Sequence, residues 1–196
     1  MDIQDFFVTR YSTLYDFFIP NIWEKLTHEQ IRHQPHPCMN TVAWNLWHMT
    51  RAEDAGLNRF VTDGTEVLDD GDWNAKLNLT IRHVGMGMNN DEVFALTQQI
   101  DLDALKGYND AVHQRTLEIL PTLTATMLDE VLDEAHRLSV AVDEGYANPD
   151  LPGMEMVYQN WTKGECLMHL GLTHNYEHIG VIGTIASLMD VIVIAG

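Results

Sequence analysis

"LMHLGLTHNYEHIGVIG", residues 167–183, decides how the chain is read. Apolar residues recur in it at three- and four-residue steps, the spacing of one face of an α-helix. The line Leu167, Leu170, His174, His178, Val181 and Ile185 runs along that face, so both histidines are predicted to point inward. Positions i and i+4 lie about 40° apart around a helix and about 6 Å apart along it. His174 and His178 therefore project side by side. Neutral imidazole is the commonest protein ligand for zinc, nickel and related ions, and an unpartnered buried imidazole is costly. The pair is either satisfied by hydrogen bonds in the core or holds a metal. Thr162 and Glu165 form a capping box, so the helix is predicted to start at Thr162 and to run to about Met189.

A catalytic transition-metal site usually takes three protein ligands and keeps one position open. On an α-helix His169 falls about 140° from His174 and 180° from His178, so it is expected to point elsewhere. His48 is the better candidate. It lies in "TVAWNLWHMT", residues 41–50, beside Trp44 and Trp47, on a helix that can face the last one. The competing reading of His48 is a hydrogen-bonded core or rim histidine. Glu177 is a candidate base, or a group that orients a ligand, and its alternative is a solvated face. The stretch "HNYEH" also matches H-x-x-E-H, the inverted zinc-peptidase pattern. That pattern needs a further carboxylate well downstream, and Asp190 alone follows His178, so peptidase activity is not expected.

Outward from these motifs, residues 3–26 read as a first helix that Pro20 should kink or split. Asn40 is the expected cap of a second helix over about 41–62. A third helical region begins at "NNDEVFALTQQ" and stops near Pro121. Residues 128–145 suggest a short helix followed by an extended piece, and 145–160 a loop. The fold expected is all-α: a four-helix bundle with long inter-helix loops, one domain over residues 1–196. "HEQIRHQPHPC", residues 28–38, carries His28, His33, His36 and Cys38 and reads as an exposed Pro-rich loop rather than a second metal site. Cys166 is expected as a small core residue, since no cationic or basic neighbour is in view to activate its thiol. Trp44, Trp47 and the Met-rich "VGMGMNN" line a pocket or pack the core.

Charge and composition narrow the function. The 196 residues hold 11 Lys+Arg against 29 Asp+Glu, a formal charge of −18. Such a chain repels phosphate backbones, so nucleic acid is not an expected partner. The apolar tail 179–196 is interrupted by Asp190 and lacks a basic flank, so no membrane span is expected. It should instead be buried in its own domain or under a second copy in a homodimer. Two widely spaced cysteines and no signal-like start fit a reducing cytoplasm.

The order of motifs resembles the DinB superfamily of damage-inducible, metal-binding four-helix bundles. "LTHEQIRHQPHPCMNTVAWNLWHMTRAED", residues 26–54, is similar to that family's approach to helix two, and the late H-x-x-x-H-x-G-x-I to its last helix. The family often has a basic residue before that glycine and a Gln after it; Ile179 and Val181 stand there, which puts a substrate role of those positions in doubt. The resemblance implies a metal site at His48, His174 and His178, holding a divalent transition ion such as zinc or nickel. It further implies a small-molecule substrate and a low-molecular-weight thiol cosubstrate for an S-transferase or isomerase, or else a hydrolase. The alternative is a non-enzymatic binding or structural bundle in which the metal staples two helices.

Overall fold

The computed structural model describes residues 3–194, and among them the regular structure is helical, with one isolated antiparallel bridge between Val131 and Thr162. Four long segments carry the predicted apolar periodicity: α1 (residues 3–25), α2 (residues 42–61), α3 (Leu102–Ile119) and α4 (residues 163–188). Shorter helices fill the connections, among them His28–Arg32, Val67–Asp70, Asn90–Gln99 and Glu134–Leu138.

Local chemistry explains where the boundaries differ from expectation. Thr41, not Asn40, caps α2: its hydroxyl accepts the Trp44 amide at 3.0 Å and pairs with the Thr97 hydroxyl at 2.8 Å. The third region is broken at Ile100, which is extended and buried, and α3 restarts where Asp101 caps the Ala104 amide at 2.9 Å. Helix α1 passes through Pro20 because a π turn at Leu14–Phe18 precedes it, so Pro20 sits in a first turn where its missing N–H is tolerated. Residues Ser139–Asp143 form another π turn, not an extended piece. Cys166 is fully buried, as expected, and burial pushes its thiol up to about 12. Among the described residues no helix is long and apolar enough to cross a membrane.

Side-chain pairs set the topology. His48 meets His174, Asn45 meets His178 and Gly56 approaches Leu170, so α2 and α4 are antiparallel. Tyr11 and Thr116 meet at the Glu53 carboxylate, Tyr15 stacks on His113 and Trp23 shares a small cleft with Lys106, so α1 and α3 are antiparallel too. Phe7 lies by Gly171 and Phe18 by Tyr176, so α1 and α4 are parallel. Hence α2 and α3 run the same way. That arrangement requires a crossover as long as the helices, and residues 62–101 supply it.

Glu53 ties the four helices together. Its carboxylate is fully buried and accepts from the hydroxyls of Tyr11 and Tyr15 on α1, Thr116 on α3 and the amide of Asn175 on α4. Burial raises its pKa, and the four donors work against that rise. Two residues earlier on α2, the buried Arg51 pairs with Glu66 at 3.0 Å and donates to the Arg82 carbonyl at 2.7 Å. Asp54 accepts the amides of Val67 and Leu68 at 2.8 and 2.9 Å. This cluster fastens the start of the crossover to the bundle.

Candidate metal centre

Helix α4 is not a continuous α-helix. It runs as Lys163–Met168, a π turn at His169–Thr173, and then His174–Leu188. A π turn holds one extra residue, so the buried stripe slips by about one position. Beyond the turn it follows Asn175, Ile179, Ile182, Ile185 and Ala186. The expected inward position of Val181 is therefore wrong: Val181 is 40% exposed, and Ile182 is buried in its place. The same slip puts His174 and His178 at the margin of the core, half-buried, rather than at its centre.

His48 comes to meet them from α2. The ring nitrogens His48 Nε2 and His174 Nε2 are 3.1 Å apart, and His178 Nε2 and His174 Nε2 are 3.2 Å apart. The ligand atoms of all three lie within 4.8 Å of one another. Zinc–nitrogen bonds of about 2.0–2.1 Å place two nitrogens of a tetrahedron about 3.3–3.4 Å apart. The cluster thus has the dimensions of a three-histidine face for a divalent ion.

Hydrogen bonds at the far side of two rings decide which nitrogens carry protons. His48 Nδ1 contacts the Val84 carbonyl, which can only accept. His178 Nδ1 lies 2.7 Å from Asn45 Oδ1. The Asn45 amide is oriented by its Nδ2, which donates to the Thr41 carbonyl at 2.8 Å. Both Nδ1 atoms must therefore donate, and in a neutral imidazole that leaves Nε2 as a bare lone pair. Both lone pairs face His174 Nε2. A proton there satisfies one of them and leaves the other facing it. Burial lowers the pKa of His48 to about 4 and of His178 to about 3; the neighbouring histidine adds to the fall for His178. The rings are neutral at pH 7, the state in which imidazole binds metal.

The rest of the site holds these rings in place. Trp44 stacks on His48 with ring centroids 4.5 Å apart, and its indole N–H points at Met88 Sδ, 3.4 Å away. Val84 belongs to a strap that crosses α2. Next to it, Gly85 has φ +95°, and a Cβ there would lie 2.6 Å from the Trp47 ring, so glycine lets the strap come close enough for its carbonyl to reach His48. Asn175 fixes the roll of α4 beside His174 by donating to Glu53 at 2.6 Å.

The structure brings His48, His174 and His178 together and leaves Glu177 exposed, without a hydrogen bond to any of the three among the described residues. His169 is displaced from its expected place. The π turn carries its ring to 5.5 Å from that of His174, against Trp161 at 5.4 Å, with Nδ1 3.3 Å from the Thr173 hydroxyl. In the Pro-rich loop, His36 Nδ1 accepts the Cys38 amide at 3.1 Å. The described residues gather no other set of metal-ligating side chains. Sequence reasoning missed Asn45 and the Val84 carbonyl. Asn45 left one signal, as a polar residue three before His48 in a mostly apolar stretch.

The pattern of the DinB superfamily matches residues 19–182, from α1 through most of α4. The chain belongs to the DinB superfamily. A solved structure, described as the conserved protein of locus from Enterococcus faecalis, shares the fold with a TM-score of 0.72 at 14% identity. The match covers 96% of this chain and 97% of that one. No curated protein matches the sequence significantly. DinB membership joins the two halves of the motif that the fold places face to face.

Proposed function

We propose that this DinB-like protein is a metal-dependent enzyme acting on a small molecule, with a zinc or nickel ion held by His48, His174 and His178. The observation that carries this reading is the pair of Nε2 lone pairs, fixed by Val84 and Asn45, that converge on His174. A divalent ion supplies one chemistry there: it lowers the pKa of a water or thiol in its open position, giving a nucleophile at neutral pH. A thiol serves transfer and a water serves hydrolysis, and the resemblance to thiol-dependent family members favours transfer. The protein's own contribution is orientation. Val84 and Asn45 fix the tautomers, Trp44 packs one ring flat, and the half-buried margin at His174 and His178 leaves the centre reachable. Two unpaired cysteines, one exposed and one buried, fit a reducing cytoplasm.

The test is metal content with coordination. Protein purified without added metal should carry about one ion per chain. Cobalt substitution should give a visible spectrum that azide shifts, as an exchangeable position requires. Absence of uptake by the intact chain sinks the reading, and a cobalt spectrum indifferent to azide turns it into a structural staple.

A further inference from the structure

Trp161 and His169 lie on a boundary. On one side the His169 ring reaches His174. On the other, both residues line an open groove of about 1240 Å³ between the start of α1, the end of α3 and the start of α4. The groove is walled by apolar side chains, among them Phe7, Leu120, Leu167 and Met168. Tyr158 extends the aromatic edge, 4.9 Å from Trp161 and 6.3 Å from His169 between ring centroids.

Charge along this path has one sign. Among the described residues the groove is lined by Asp5, Asp129 and Glu165 and by no lysine or arginine. Exposed Glu177 stands on the same helix as the metal pair and exerts its field on His169. Arg10, beside the groove-lining Thr9, lies over the Tyr176 ring, 5.4 Å from its centroid, and the other basic residues around are held by their own partners. Lys163 pairs with Glu130 at 2.7 Å, and Arg51 and Arg82 are bound to carboxylates of the crossover. Arg137 donates to the carbonyls of Glu155 and Val157.

From this juxtaposition we infer that the site takes an uncharged or cationic small molecule whose apolar or aromatic part lies in the groove along Trp161 and His169. Among the described residues a carboxylate-bearing molecule finds no lysine or arginine lining the groove and meets acids instead. This selectivity rests on the metal reading above and narrows it, because it disfavours anionic thiols as the cosubstrate.

Three probes share one thiol and one ring: benzyl mercaptan, its 4-carboxylate and its 4-aminomethyl derivative. Each is titrated into cobalt-loaded protein and followed by the sulfur-to-cobalt absorption band. The neutral and cationic probes should bind at least about tenfold tighter than the carboxylate. Trp161→Ala should weaken benzyl mercaptan severalfold without changing cobalt affinity. Met168→Lys, at an exposed position in the groove, should bring the carboxylate closer to the neutral probe. If the carboxylate binds as tightly as the others to the parent protein, or if neither variant changes the ranking, the inference is overturned while the metal reading stands. Failure to take up cobalt overturns both.

Discussion

Helix α2 carries two polar clusters five residues apart. At Glu53, four neutral donors from three other helices converge on one carboxylate. At His48, three imidazole nitrogens converge on one another, two of them as bare lone pairs. A buried acceptor that meets its donors makes the core specific and asks for nothing else. Acceptors aimed at acceptors repel, and they persist because α2, α4 and the Val84 strap hold them there. The first cluster joins the helices; the second has the geometry of a group that could hold a metal ion.

The comparison breaks most directly by removing Glu53. Glu53→Ala strands the donors of Tyr11, Tyr15, Thr116 and Asn175, so it should cost about 3–5 kcal/mol of stability. Urea unfolding in chelator and in metal should show this loss equally. His178→Ala should behave in the opposite way. In chelator it should unfold close to the parent. In metal it should lack the roughly 2.7 kcal/mol that an ion at a hundred times its Kd gives a folded state. Equal losses for His178→Ala in both conditions would erase the distinction between the clusters.

Asn45→Ala sharpens it. This change removes no ligand, only the acceptor that holds the His178 tautomer, and should lower metal affinity about 10–100-fold in a calorimetric titration. Acid probes the apo cluster. Burial holds His48 at about 4 against an ordinary 6.5, so between those values the unfolded chain binds the extra proton. The contribution is complete above pH 6.5 and is lost as pH falls toward 4, at up to about 1.4 kcal/mol per pH unit. In chelator, His48→Ala should flatten the urea midpoint over that window. The smallest effect belongs to His169→Ala, which should change cobalt affinity less than about threefold, since its ring lies outside the ligand trio; a larger drop would make it a fourth ligand.

Much of this was legible in the sequence. The four apolar periodicities, the capping box at Thr162 and the i, i+4 histidine pair are local signals, and local signals survive without coordinates. The partner helix was legible only through the polar residues of an apolar segment, His48 among them. The π turn was not legible. Its cause is tertiary: the turn itself packs through Gly171 against Phe7 and Leu57, while Asn175 after it must meet Glu53. Nothing within His169–Thr173 itself announces the extra residue. Both errors at the site, the inward Val181 and the averted His169, trace to that one missing step in the helical count.

The turn also divides the site mechanically. His174 and His178 ride on one uninterrupted α-helical stretch, so their mutual bite is a fixed gauge. Their distance from His48 is set by the roll of that stretch, which Asn175 locks through the buried Glu53. Glu53 stands on the same helix as His48. The centre is built like a vice whose two jaws are bolted to one post.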